Sequence, residues 1–227
     1  MGTYVVTGAS RGLGLGFTRQ LLAEGHRVVA LSRQANPESL CSLGPCSGSL
    51  ELRVGDVEDE GALSKAAEGL GPVDVLINNA GIMGQRNGSL EELDIESAAT
   101  VFNTNVLGVA RSTRAFLPAL RSAKGGAKVV NISSLMGSIS DSSGGYDGYR
   151  MSKAAVNMLT VNLARALQND GITVIALHPG WVQTDMGGAG APLSVEDSIA
   201  AMVATLRAKG LEESGGFFDR SGKRLAY

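Results

Sequence analysis

Histidine and cysteine are nearly absent from this chain, and neither sign of charge dominates it. Its 227 residues hold two histidines, His26 and His178, and two cysteines, Cys41 and Cys46, with a formal net charge of −2. The histidines are scattered and the cysteines have no second pair of ligands, so no metal site is expected. Cys41 and Cys46 read as reduced thiols in a loop, with the cytoplasm as the default location. A nearly neutral chain offers no electrostatic case for nucleic acid or an anionic membrane. No apolar run approaches the roughly 18 residues that suggest a membrane span. The start lacks a basic segment followed by an apolar stretch, so no secretory signal is expected. Val6 stands where a myristoylation signal beginning at Gly2 requires Ser or Thr.

What is present is an alternation. Apolar, β-branched runs at 3–7, 27–32, 50–54, 73–77, 127–132 and 172–178, and a short last one near Gly216-Phe217-Phe218, read as strands. Helical patterns fall between them near 13–24, 59–69, 92–122, 149–169 and 195–209. The segment 36–49, rich in Ser, Pro, Gly and Cys, reads as an irregular connection. Alternation of this kind predicts an α/β fold, a parallel sheet with helices on both faces, with ligands at the carboxyl ends of the strands. No linker or internal repeat interrupts it, and the length suits one domain.

Two groups of residues carry chemistry. Tyr149 and Lys153 are four apart, so on a helix they share a face. An ammonium beside a phenol favours the phenolate, lowering a pKa that is about 10 for free tyrosine. Such a group can exchange a proton with a carbonyl or alcohol oxygen. Ser134, fifteen residues earlier, adds a second hydroxyl. Near the start, Tyr4-Val5-Val6-Thr7 leads into Gly8-Ala9-Ser10-Arg11-Gly12-Leu13-Gly14 and then a helical pattern. A strand, a tight glycine turn and a helix N-terminus form a site where backbone N–H groups and the helix dipole meet a pyrophosphate.

Both groups, in this order, resemble the short-chain dehydrogenase/reductase family. The resemblance extends to Asn78-Asn79-Ala80-Gly81 after an apolar strand, to Asn105, to Asn131-Ile132-Ser133-Ser134-Leu135-Met136-Gly137, and to Pro179-Gly180-Trp181-Val182-Gln183-Thr184. It covers about residues 3 to 186. Gly144 to Lys153 and His178 to Gly188 are similar to the C-factor (C-signal) branch, close to the sniffer-type carbonyl reductases. The resemblance implies a Rossmann-type doubly wound parallel sheet with strand order 3-2-1-4-5-6-7. It implies a dinucleotide-binding part over about 1–135 and a catalytic and substrate part over about 136–227.

It further implies that hydride passes between a nicotinamide and a substrate carbon while Tyr149 exchanges the proton on oxygen. Ser134 would bond that oxygen, Lys153 would tune Tyr149 and hold the nicotinamide ribose, and Asn105 would fix a water leading to solvent. Asn105 also reads as an asparagine satisfying a helix kink. Gly8, Ser10, Arg11, Gly12, Leu13 and Gly14 would cradle the dinucleotide, and Asn79, Ala80 and Gly81 would line it. Pro179, Gly180, Val182 and Thr184 would hold the carboxamide end. Asp56 and Val57 resemble the adenine pocket, although an aspartate at a strand end is equally a helix cap. Ser134 is preferred to Ser133 and Ser138 because Ser134 and Gly137 match the family's strand end. Tyr149 is preferred to Tyr146 because position 150 is arginine, which cannot exchange a proton.

NAD selection ordinarily needs an acidic residue at the end of the second strand. Here Ser32 stands there, with Arg33 next and Arg11 in the glycine loop, an arrangement suited to a 2′-phosphate. NADP is therefore expected over NAD. The predicted activity is NADP-dependent reduction of a small carbonyl compound or oxidation of an alcohol. The alternative is a cofactor-binding signalling protein of the C-factor type. Met186 to Ser194, with Gly187, Gly188 and Gly190, is expected to be a mobile substrate loop. The segment 149–167 is apolar nearly all round, which predicts pairing with another copy as a homodimer or homotetramer.

Overall fold

The computed structural model describes residues 1–44 and 46–227, so Pro45 of the Cys41–Cys46 loop lies outside the described residues. The strands are β1 (Thr3–Thr7), β2 (Arg27–Ser32), β3 (Ser49–Val54), β4 (Val75–Asn78), β5 (Lys128–Ile132), β6 (Thr173–His178) and β7 (Phe217–Asp219). They form one seven-stranded sheet in the order β3-β2-β1-β4-β5-β6-β7, every pair parallel. The helices are α1 (Gly12–Ala23), α2 (Glu38–Cys41), α3 (Glu60–Ala67), α4 (Ile95–Phe102), α5 (Gly108–Arg121), α6 (Asp147–Ala166) and α7 (Val195–Ala208).

Alternate side chains of each strand enter different cores. Tyr4 and Val6 join Phe17, Leu21, Ile199 and Met202 on the face covered by α1 and α7. Val5, between them, joins Leu63, Phe116, Leu120 and Ala164 on the face covered by α3, α5 and α6. Burial on both faces is why these strands read as unbroken apolar runs rather than as alternating ones.

Three expectations need correction. The helix anticipated over 92–122 is divided, because Asn103–Leu107 forms a π-helical turn between α4 and α5. Such a turn is rare, and no composition or spacing rule marks where it falls within a continuous helical pattern. The supposedly irregular 36–49 contains the short helix α2, anchored by buried Leu40. The fourth strand begins at Val75 rather than at 73; Val73 is buried, but its N–H bonds the Ala119 carbonyl at 3.1 Å instead of a strand.

Candidate active site

The glycine loop works by close approach. Gly8 and Gly12 have φ of 65° and 53°, in the left-handed region that favours glycine. A Cβ on Gly14 would overlap the Gly8 carbonyl oxygen and lie 2.6 Å from Asn79 Nδ2. No side chain caps α1, and its first turn has no acidic residue. Its positive end is therefore not neutralised, which fits a pyrophosphate between Gly8 and Leu13. Asn79 donates through Nδ2 to the carbonyls of Thr7 (2.9 Å) and Gly8 (3.2 Å). The N–H groups of Asn79 and Ala80 both donate to Thr7 Oγ1 at 3.0 Å. Asn79 thus braces the loop.

Asn105 sits in the π-helical turn with its side chain buried. Its Oδ1 accepts from Ile82 N–H at 2.8 Å, while Nδ2 donates to Ile82 carbonyl at 2.9 Å and to Ser152 Oγ at 3.0 Å. Ser152 in turn donates to the Tyr149 carbonyl at 2.7 Å. The amide ties the segment after Gly81 to the helix carrying Tyr149 and Lys153. A Cβ on Gly81 would lie 3.1 Å from Asn105 Oδ1 and 3.7 Å from Lys153 Nζ.

Ser134, Tyr149 and Lys153 converge at the end of β5. Ser134 lies close enough to the Tyr149 hydroxyl to favour its ionised form. Lys153 Nζ lies 5.5 Å from the Tyr149 ring centroid and donates to the Ile132 carbonyl at 2.8 Å. Gly137 permits this convergence: a Cβ there would come within 2.6 Å of Lys153 on α6. Ser133 points elsewhere, to Asn157 Oδ1 at 2.7 Å, and Ser138 bonds Ser140. Tyr146, the rival phenol, caps α6 with a φ of 55° under Arg86. Arg150 is occupied with the carbonyls of Gly144 (3.1 Å) and Gly145 (2.9 Å).

The expected lowering of the Tyr149 pKa is not what the free site shows. Burial pushes Tyr149 up to about 12, opposed by the nearby Ser134. Burial also lowers Lys153 to about 8. Desolvation disfavours both charged forms, and here it outweighs the attraction expected between them.

Ser32 is buried at the end of β2 and bonds the Gln34 carbonyl, with Arg33 exposed beside it. Arg11 is turned the other way, its Nη1 3.2 Å from Asp185 Oδ2. Asp56 accepts from Glu58 N–H at 3.0 Å, while Asp59, not Asp56, caps α3. Val57 is buried, and a Cβ on Gly108 would lie 2.9 Å from it. Gly180 has a φ of 85°, Val182 is buried, and the Pro179 carbonyl accepts from Ser198 at 2.7 Å. Thr184 Oγ1 accepts from Gly187 N–H at 3.1 Å. The segment expected to be a mobile loop is tied to the residues just before it: Gln183 Nε2 donates to Ala191 carbonyl, and Trp181 Nε1 to Gly187 carbonyl. A narrow cleft of mixed lining, apolar at Met83, Leu93 and Val101 and polar at Gln85, Glu92 and Asp94, reaches Tyr149.

Sequence reasoning missed two groups. Asn87 accepts from Asp147 N–H at 2.9 Å and donates to Asp147 Oδ2 at 2.8 Å, fixing the start of α6. His178 accepts from Leu135 N–H at 3.2 Å. Asn87 carries no local signal; His178 opens the segment that resembles the C-factor branch but was given no role of its own.

Comparison with known proteins agrees with this geometry. Residues 3–191 match the family model for short chain dehydrogenase. The C-signal protein of Myxococcus xanthus is 44% identical over 160 residues, covering 69% of this chain and 94% of that protein. The carbonyl reductase Sniffer of D. melanogaster superposes with a TM-score of 0.94 at 32% identity, covering 100% of both chains. An NADPH-bound carbonyl reductase from chicken fatty liver gives 0.90 at 34% identity, covering 99% of this chain and 98% of that one.

Proposed function

This chain belongs to the short-chain dehydrogenase family, and we propose that within it the protein is an NADP-dependent reductase of carbonyl compounds. It is a nicotinamide-dependent oxidoreductase by family. The observation that carries the finer reading is the buried Tyr149, with Ser134 beside its hydroxyl and Lys153 Nζ 5.5 Å from its ring centroid.

The glycine loop from Gly8 to Gly14 would hold NADPH, which when bound would supply the hydride. Tyr149, held neutral by a pKa of about 12, is an acid able to donate its proton to a carbonyl oxygen as negative charge develops there. Ser134 donates a second hydrogen bond to that oxygen, worth most when charge is greatest. Lys153 would hold the ribose and, when protonated, favours the phenolate left behind. Asn105 keeps the helix carrying both residues in register with the segment after Gly81. Arg33 and Ser32 support a 2′-phosphate, and with it NADP over NAD, a preference also in keeping with the NADPH-bound chicken enzyme.

A signalling role is favoured by one observation, the 44% identity to C-signal. The assembled Ser134, Tyr149 and Lys153 favour chemistry, because a pure sensor does not need a proton donor. A screen of aldehydes, ketones and quinones with NADPH and NADH in parallel tests the reading. Turnover with NADPH is the expected result; cofactor binding without turnover on any carbonyl would favour the sensor.

A further inference from the structure

The ladder between β5 and β6 ends in an unusual way, beside the serine. Its last rung runs from Ser133 N–H to the Leu177 carbonyl at 2.8 Å. In a parallel ladder the next two bonds would be Pro179 N–H to Ser133 carbonyl and Leu135 N–H to Pro179 carbonyl. Neither forms. Proline has no N–H. The Pro179 carbonyl is taken by Ser198 Oγ at 2.7 Å, and Gly180 at φ 85° turns the chain away. Leu135 N–H, next to the serine, would then lack a partner. The His178 imidazole replaces the missing carbonyl, its Nδ1 accepting from Leu135 at 3.2 Å.

We propose that His178 is a positioning residue for Ser134. Two anchors flank the serine, Ser133 N–H on Leu177 and Leu135 N–H on His178. The turn beyond closes on the serine itself, with Met136 N–H on Ser134 Oγ at 3.2 Å and Gly137 N–H on the Ser134 carbonyl at 2.9 Å. Without the imidazole the turn is held to β6 only at Ser133, and the Ser134 hydroxyl can rotate off the Tyr149 hydroxyl. Accepting at Nδ1 requires the neutral ring with its hydrogen on Nε2. The charged groups facing the ring are Asp219 on β7, Arg220 just beyond it and Asp141 in the turn Ile139–Asp141. Burial wins over them and holds the pKa at about 4, so the acceptor is available at neutral pH.

The inference rests on the proposed role of Ser134, and its test separates the two. NADPH and 4-nitrobenzaldehyde, whose electron-poor carbonyl accepts hydride readily, serve as probes, with any better carbonyl compound from the screen substituted for the aldehyde. His178→Leu should lower kcat between about tenfold and a hundredfold, the scale of a small misplacement, with NADPH affinity unchanged. His178→Asn places a carbonyl oxygen near the old Nδ1 and should restore kcat to within about threefold. His178→Gln, whose oxygen falls nearer the old Nε2, should not, so the Asn and Gln pair decides even if the leucine variant does not fold. In a Ser134→Ala background, His178→Leu should cause no further loss, because residues acting through one another are not additive. Equal losses in the Asn and Gln variants, or losses that multiply in the double variant, would overturn the positioning role alone. Full activity in Ser134→Ala would overturn the serine's role and this proposal with it.

Discussion

Arg11 and Asp185 join the two sides of the cofactor cleft, Nη1 to Oδ2 at 3.2 Å across 174 positions of sequence. Gly12 lies beside Thr184 at the same place, where a Cβ would meet its methyl at 3.5 Å. The glycine loop and the segment after β6 therefore touch, and Arg11, expected from the sequence to serve a 2′-phosphate, is engaged by Asp185 instead. Both partners are mostly exposed, so the pair is worth at most about 1 kcal/mol.

Asp185→Asn should release Arg11 and tighten NADPH by up to about fivefold, the equivalent of that energy, leaving NADH unchanged. In the unsubstituted protein NADPH should bind more tightly than NADH, with the gap closing in Arg33→Ala. Titration by nicotinamide fluorescence measures all three; equal affinities for the two cofactors before substitution would show that the arginines serve another purpose.

Tyr149→Phe should leave NADPH binding nearly intact and cut turnover at least about a hundredfold, the usual scale of general acid catalysis. Tyr146→Phe is the control and should be far milder, since its ring lies by Arg86 at the start of α6. Near-native turnover in Tyr149→Phe would remove the proton donor from the mechanism.

Stability should fall as the solution is acidified from pH 6.5 to pH 4. Burial holds folded His178 near 4, against 6.5 for the free group, so the unfolded chain binds the extra proton first. Its contribution is complete above pH 6.5 and is lost on the way to pH 4, a change on the order of 3 kcal/mol. Urea unfolding across that window should show a steeper slope in the unsubstituted protein than in His178→Asn, which has nothing to protonate there.

Gly14→Ala should destabilise the protein although alanine is the better helix former. Propensity favours alanine by about 1 kcal/mol, but the new methyl would overlap the Gly8 carbonyl and crowd Asn79. Overpacking of that kind costs about 1–3 kcal/mol, and it should lower the melting temperature and weaken dinucleotide binding together.

The protein should be a homodimer or homotetramer. Met151 and Met158 on α6 and Leu107 before α5 are exposed, with half-buried Ala155 between the methionines and half-buried Leu159 next to Met158. Light scattering behind size exclusion should give a multiple of 23.4 kDa. A single-chain mass at micromolar concentration would show that this surface stays free.

Local pattern carried much of the fold. Strands buried on both faces must be continuously apolar, and the turns between them need glycine or polar residues, so β1, β2, β5 and β6 were legible almost to the residue. Tyr149 and Lys153 were legible as a pair because helix geometry puts positions four apart on one face. The π-helical turn at Asn105 was not, since one extra residue in a helix changes hydrogen bonding without changing composition.

The sequence by itself determined which residue types stand at the ends of the strands, and therefore the kind of chemistry available there. The resemblance already preferred Ser134 to Ser133, and the tertiary structure supplied the physical reason, because adjacent residues at a strand end face opposite ways and the sheet sets which way. Only the tertiary structure decided the sign of the Tyr149 shift, through burial that no four-residue spacing reveals. It turned Arg11 toward Asp185, and it gave His178 a partner at Leu135. Each of these depends on segments far apart in sequence meeting at one end of the sheet, and contacts between distant segments are not written in the spacing of either one.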